Sequence, residues 1–155
     1  MKVGLISDTH GRLRPEVFQL LDGVARILHA GDVGPPDLLI ELGAIAPVTA
    51  VWGNTDGFEL RTALPEIAEL ELAGRRIVVM HGHQLGLPDP ESLRRAQPSA
   101  EIIVYGHTHR PLVDGNGSLV VNPGSAGAAR FGIPPSVGIL EVAGEPSVQL
   151  LELPQ

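Results

Sequence analysis

Val3-Gly4-Leu5-Ile6-Ser7, followed at once by Asp8-Thr9-His10-Gly11, decides how the rest of this chain is read. The first five residues are a short apolar run suited to a buried strand, and the next four form a polar loop carrying two metal-ligating side chains. Outward from this stretch the pattern repeats. Pro15–Leu21 has helical apolar spacing, with Pro15 suited to the first turn and Gly23 to the stop. Arg26–His29 reads as a second strand before the loop Gly31-Asp32-Val33-Gly34, Pro36–Leu42 as a helix, and Val48–Trp52 as a third strand ending at Gly53-Asn54-Thr55-Asp56. Such strand–helix–strand alternation predicts parallel strands joined by right-handed crossovers. Their C-terminal ends then share one edge, where ligands of open α/β sheets bind.

After Pro65 the rhythm changes. Ile67–Leu72 and Arg76–Met80 flank Ala73-Gly74-Arg75 as a hairpin, and the second of these strands leads into His81-Gly82-His83. Pro90–Ala96 reads as a short helix. Ile102–Tyr105 is a further strand running into Gly106-His107-Thr108-His109. Two more hairpins follow, Pro111–Val113 with Ser118–Val121 and Val137–Val142 with Val148–Leu153. Two packed sheets with helices on their outer faces bury all these runs, whereas Phe58–Pro65 and Gln84–Pro90 read as specificity-setting loops.

The length of 155 residues fits one domain spanning 1–155. No apolar stretch approaches the roughly 18 residues of a membrane span, and Asp8 interrupts any signal-peptide core, so the chain reads as cytoplasmic with no membrane partner. The absence of cysteine excludes disulfides, thiolate zinc sites and cysteine nucleophiles. A formal net charge of −7 argues against extended nucleic-acid binding, which depends on clustered Lys and Arg, but leaves a small anionic substrate open.

Of six histidines, five fall in the segments Asp8-Thr9-His10, His81-Gly82-His83 and His107-Thr108-His109. Asp8 and His10, spaced i and i+2, point the same way from an extended segment and offer one oxygen and one nitrogen to a single ion. His107 and His109 have the same spacing and are able to serve different ions. Asp32 suits a bridging role, each of its two oxygens taking one ion. Asn54 adds a carbonyl oxygen and His81 another nitrogen. Any one of these pairs arises easily by chance. Five such segments, each after a predicted strand, do not, and the mixed nitrogen and oxygen donors suit Mn²⁺, Fe, Zn²⁺, Ni²⁺ or Co²⁺ better than Ca²⁺.

In order, Asp8-x-His10, Gly31-Asp32, Gly53-Asn54-x-Asp56, His81-Gly82-His83 and Gly106-His107-x-His109 resemble the motif set of the calcineurin-like metallophosphoesterase superfamily. Asn122-Pro123-Gly124-Ser125 is similar to its small single-domain phosphodiesterase branch in bacteria and archaea, and the likeness runs from Lys2 to about Arg130. The resemblance implies an α/β fold, a four-layer α/β/β/α sandwich of two mixed sheets with outer helices. It also implies two divalent ions, Mn²⁺ foremost with Ni²⁺, Fe, Zn²⁺, Co²⁺ or Mg²⁺ as alternatives. One ion takes Asp8, His10, Asp32 and His109, and the other Asp32, Asn54, His81 and His107. The implied activity is hydrolysis of a small phosphodiester or nucleotide by a metal-bridging hydroxide. A homodimer is compatible with the resemblance.

Larger relatives carry a histidine directly after the Gly-Asn pair, where this chain has Thr55, a departure that points toward diesters. His83 is the nearest spare histidine, read either as an acid or phosphate contact or as a structural residue. Asp56 is read as orienting a metal-bound histidine, Arg130 as reaching the substrate phosphate or as a surface charge, and Trp52 as core packing beneath the site. His29 reads as a buried, hydrogen-bonded residue. Asn122-Pro123-Gly124-Ser125 is either an anion cradle or a linking turn. Two other functions compete: an interaction scaffold, as in a retromer subunit of the same superfamily that has lost part of its ligands, and a phosphomonoesterase. All seven donor positions are filled here, and that favours the enzyme.

Overall fold

The alternation of apolar side chains along Lys2–Ile6 (β1) divides the interior into layers. Val3 and Leu5 face one way, into a core shared with a second sheet, while Ile6 faces the other way, against helices. The structure, a computed structural model, describes residues 1–154. After β1 come a short helix α1 (Glu16–Leu20), β2 (Arg26–His29), α2 (Asp37–Gly43), β3 (Val48–Ala50), α3 (Phe58–Ala63), β4 (Ile67–Leu72), β5 (Arg75–Met80), a 3-10 turn at His83–Leu85, α4 (Pro90–Ala96), β6 (Ile102–Val104), β7 (Leu112–Asp114), β8 (Leu119–Asn122), β9 (Ser136–Glu141) and β10 (Ser147–Glu152).

These strands form two mixed five-stranded sheets, ordered β10-β9-β1-β2-β3 and β4-β5-β6-β8-β7. In the first, β1, β2 and β3 are parallel and the β9–β10 hairpin runs antiparallel beside β1. In the second, β5, β6 and β8 are parallel, with β4 and β7 antiparallel at the edges. Between the sheets lie Val3, Leu5 and Leu28 from one side and Ile77, Val79, Ile102 and Val104 from the other, all fully or almost fully buried. Val17, Leu21, Leu38, Leu42 and Leu60 bring α1, α2 and α3 onto the outer face of the first sheet. Leu93 of α4 packs on Val78, Met80 and Ile103 of the second. The four-layer α/β/β/α sandwich is therefore the observed fold, and burying so much aliphatic surface is its main source of stability. Among the described residues no helix is long and apolar enough to cross a membrane.

One segment departs from the expectation. Residues 58–65, read as a loop, contain α3. The helix buries only Leu60, so no apolar periodicity marks it, and Phe58 stays 83% exposed. The expected loop at 84–90 likewise begins within the 3-10 turn.

At the end of β2, His29 ties the first two loops together. Its Nδ1 accepts from the Gly31 N–H at 3.1 Å, which leaves Nε2–H to donate to Thr9 Oγ1 at 3.0 Å, and that hydroxyl donates in turn to the Val33 carbonyl at 2.7 Å. Both nitrogens are used by the neutral ring. Burial holds its pKa down at about 4, against the pull of the Asp8 carboxylate. Between that value and the ordinary 6.5 the unfolded chain holds a proton that the folded one refuses. The stability contribution is thus complete above pH 6.5 and lost as pH falls toward 4, by about 3 kcal/mol. Urea titrations of metal-free protein should show this as a steeper loss of unfolding free energy over that window in the wild type than in His29→Gln. Equal slopes would contradict the assignment.

Candidate metal centre

The C-terminal ends of the parallel strands in both sheets converge, and their loops are bonded to one another rather than to solvent. Asp8 N–H donates to the Gly31 carbonyl at 3.0 Å, His10 N–H to Asp32 at 3.0 Å and Gly11 N–H to Val33 at 2.8 Å, so the β1–β2 pairing continues past both strands into the ligand loops. Within the second sheet Gly106 N–H likewise donates to the His81 carbonyl at 3.0 Å, and between the sheets His107 N–H donates to Asp8 Oδ2 at 3.1 Å. Glycines create the clearance. A Cβ on Gly31 would strike the His81 ring, one on Gly53 the Asp32 carboxylate, and one on Gly106 the Ser7 hydroxyl and Asp8 Oδ2.

Asp8, His81 and Asp32 are each split between a protein-facing and a cluster-facing atom. Asp8 Oδ2 accepts from Ser7 Oγ at 2.7 Å and from the His107 N–H at 3.1 Å, while Oδ1 is buried with no hydrogen-bond partner. His81 Nδ1–H donates to the Ala30 carbonyl at 2.8 Å, which aims Nε2 into the cluster. Asp32 Oδ1 accepts from the Thr55 N–H at 2.9 Å, and Oδ2 lies 3.1 Å from His81 Nε2 and 3.8 Å from His10 Nε2. Asp8 Oδ1 stands 3.2 Å from His109 Nε2 and 3.9 Å from both His10 and His81 Nε2, and the Nε2 atoms of His10 and His109 face each other at 3.3 Å.

Two overlapping groups result, Asp8 with His10 and His109, and Asp8 with Asp32 and His81. Donors bonded to one ion at about 2.1 Å stand roughly 3–4 Å apart, the spacing seen here. The residues fit divalent ions on that ground and because Asp8 Oδ1 and His81 Nε2 are otherwise unsatisfied in the interior. His107 completes the rim, its ring edge-on to His81 at 5.1 Å.

The electrostatics of the metal-free site follow from this geometry. Burial alone would raise the Asp32 carboxyl, but the His81 ring and the Thr55 N–H hold it well below the usual carboxylate range. Burial likewise opposes protonation of His81, yet its contact with Asp32 and the nearby Asp8 charge push its pKa up. Burial and the positive His81 push His83 and His107 down.

The backbone corrects one expectation. Asp8, His10, His107 and His109 do not lie in extended segments, their φ angles being 53°, 47°, 71° and 61°, and Asp32, read in a loop, has φ of 54°. Among the described residues, five of the seven non-glycine residues in the left-handed region are thus expected ligands. The convergence of i and i+2 side chains comes from these turns, each of which costs about 1 kcal/mol. Asp32 also differs: Oδ2 alone faces both histidine sets, because Oδ1 is taken by Thr55, and Asp8 Oδ1 is shared in the same way.

Asp56 and Trp52 are placed differently from the reading above, while Arg130 and the 122–125 turn each take one of the alternatives given there. Asp56 touches no histidine. Its carboxylate accepts from Val33, Gly34 and Gly53 N–H at 3.2, 3.1 and 2.8 Å, which staples the Asp32 loop to the Asn54 loop. Trp52 is not core packing. It is half-buried, with His83 at 5.4 Å on one side and the Arg61 guanidinium 4.6 Å from its ring. In the 122–125 turn Asn122 Oδ1 takes the Gly124 N–H, Asn122 Nδ2 donates to Gly106 O and Thr108 Oγ1, and Ser125 Oγ donates to Asp8 O. The turn therefore braces the ligand loops. Arg130 is exposed at a hairpin tip, and among the described residues its side chain has no hydrogen-bond or ion-pair partner.

His83 sits beside the cluster, with its ring 5.4 Å from His81 and 6.5 Å from His107 and its Nε2 3.9 Å from Glu66 Oε1. Asn54 is exposed next to Thr55. Arg61 was missed: it donates to Asp56 O and Asn54 O at 2.7 and 2.8 Å, and a lone arginine in an unmarked helix carries no pattern that would have revealed it.

A family model described as the calcineurin-like phosphoesterase superfamily domain matches residues 1–145. Over 154 residues the chain is 35% identical to a probable metallophosphoesterase of Methanothermobacter thermautotrophicus, covering 94% of this chain and 88% of that protein. Phosphodiesterase YfcE of Escherichia coli is 32% identical over 166 residues, with 91% and 88% covered. A crystal structure of Vps29 from Entamoeba histolytica complexed with Zn²⁺ matches with a TM-score of 0.76 at 26% identity, covering 98% of this chain and 99% of that one.

The left-handed turns make a direct prediction. At an ordinary position alanine is more stable than glycine by about 0.5–1 kcal/mol. At His10, with φ of 47°, the order should reverse. His10→Gly should exceed His10→Ala by about 1 kcal/mol in chelator-treated protein. Chemical denaturation of the two variants reads the difference, and the ordinary order would contradict the observed backbone.

Proposed function

The chain belongs to the calcineurin-like phosphoesterase superfamily, and from that premise we propose that it is a divalent-metal-dependent phosphodiesterase of small substrates. The observation that carries this is the buried pair Asp8 Oδ1 and Asp32 Oδ2, shared between the His10–His109 side and the His81 side. Asp8, His10, Asp32 and His109 would hold one ion, and Asp32, Asn54, His81 and His107 the other. Mn²⁺ is the first assignment, in keeping with the mixed nitrogen and oxygen donors. Bound there, divalent ions would supply Lewis-acid polarisation of a phosphate and an acidified water as the nucleophile.

The chain's own residues do the rest. The Thr55 N–H, the Ala30 carbonyl and the Ser7 hydroxyl lock the donors before substrate arrives, so little reorganisation accompanies the reaction. Thr55 provides no acid after Asn54, which favours diesters whose leaving groups need little protonation. His83, whose ring is 5.4 Å from that of His81, is the histidine outside the two ligand sets that would serve the leaving group as an acid. The net charge of −7 and the absence of a basic stripe favour a small phosphodiester or nucleotide over an extended nucleic acid.

Likeness to Vps29, one structure of which is complexed with Zn²⁺, means that metal uptake alone does not separate an enzyme from a scaffold of this fold. Hydrolysis does. With Mn²⁺, Ni²⁺ or Mg²⁺ the protein should cleave bis(p-nitrophenyl) phosphate faster than p-nitrophenyl phosphate, and Asp32→Ala or His107→Ala should lower both rates by about 10³-fold or more. No turnover with any of these ions would sink the enzyme reading. His83→Ala should cost little with p-nitrophenol as leaving group and about 10²-fold with an unactivated alcohol. Equal losses on both esters would remove His83 from that role.

A further inference from the structure

Asn54 is the least supported of the expected donors. Asp8, Asp32 and His81 each have a side-chain atom fixed by a protein hydrogen bond, but among the described residues the exposed Asn54 amide has none. Its direction is therefore set by its backbone alone. Five contacts fix that backbone: the Thr55 N–H on Asp32, the Asp56 N–H on the Gly53 carbonyl at 3.0 Å, the Gly53 N–H on the Asp56 carboxylate at 2.8 Å, and the two bonds from Arg61 in α3, which alone among the described residues hold the carbonyls of Asn54 and Asp56. Arg61 Nε donates to Asp56 O at 2.7 Å and a terminal nitrogen to Asn54 O at 2.8 Å, so a single planar fork grips both ends of the Asn54–Asp56 turn. The same guanidinium lies 4.6 Å from the centre of Trp52, whose ring is 5.4 Å from His83. Helix packing does not require this, since Leu60 is the buried residue of α3. Among the described residues no carboxylate pairs with Arg61. A charge serving only solubility would extend into water, whereas this one turns back along the loop.

We propose that Arg61 is a positioning residue for the second ion: it holds the backbone of Asn54 so that the amide oxygen stays directed at the ion shared with Asp32, and it sets the indole face on which His83 rests. The assignment rests on Asn54 being a ligand, as read above. A neutral amide oxygen is a weak donor, so its contribution depends on being pre-oriented. Lysine is a poor substitute, because one ammonium does not span both carbonyls while lying flat on an indole.

Equilibrium dialysis of Mn²⁺ against wild type, Arg61→Ala, Arg61→Lys and Arg95→Ala, with bound metal counted by atomic emission, tests this. Arg95 serves as a control because its partner is the exposed Glu91, on the same helix α4. Wild type and Arg95→Ala should take up two ions with the same affinities. Arg61→Ala should keep the first ion and bind the second about 10–100-fold more weakly, Arg61→Lys should recover only part of that loss, and the melting temperature of the metal-free protein should stay within a few degrees of wild type. Wild-type affinity for both ions in Arg61→Ala would overturn the assignment while leaving the two-ion reading intact. Equal weakening of both ions, together with a lowered metal-free melting temperature, would also overturn it by showing a general structural role. Should Arg61→Ala not fold, Arg61→Lys decides: full wild-type affinity for the second ion overturns the proposal, and selective loss supports it. A wild type that takes up fewer than two ions would sink the two-ion reading and this assignment together.

Discussion

Asp8 spends one oxygen on the protein and keeps the other bare in the interior. Oδ2 is held by the Ser7 hydroxyl and the His107 N–H, and Oδ1 faces three imidazoles with no hydrogen bond of its own. A buried carboxylate oxygen without a partner is costly, so such an arrangement persists only where something else satisfies it and the surroundings prevent its collapse. Asp32 and His81 repeat the division, each with one atom anchored and one presented. The rest of the structure is organised to keep these atoms close to one another and apart from competing donors.

Two sheets meeting at the C-terminal ends of their parallel strands make that possible. Their loops bond one another directly, through the His107 N–H to Asp8 and His81 to the Ala30 carbonyl, and the motif glycines remove the side chains that would obstruct the approach. The turns then force five donors into left-handed backbone, at a combined cost of order 5 kcal/mol. Burial of the aliphatic layers on both sides of each sheet offsets this, which explains why strain gathers at the loops while the strands stay regular.

Period and apolar content were enough to read the strands, the three hairpins, α4 to the residue and the layered architecture, because burial on sheet faces leaves a period-two or continuous apolar trace. The donor segments were legible for a different reason: histidine and carboxylate pairs following strand after strand have few structural explanations. What left no trace was tertiary. Nothing in Asp8-Thr9-His10 distinguishes a left-handed turn from an extended one, since the difference is imposed by the pairing with residues 31–33. Asp56 looked like a partner for histidine, but the three N–H groups it satisfies belong to backbone brought together only by the fold. α3, with one buried residue, and the Arg61 fork on its outer side were hidden for the same reason.

The account stands on two ions, one held by Asp8, His10, Asp32 and His109 and the other by Asp32, Asn54, His81 and His107, with Asp32 common to both. Diffraction from crystals soaked in Mn²⁺, recorded on both sides of the manganese absorption edge, tests that most directly. Two anomalous peaks are predicted, one among Asp8, His10, His109 and Asp32, the other among Asp32, His81, His107 and Asn54, separated by roughly 3.5–4 Å. A single peak, or peaks away from both carboxylates, would contradict it.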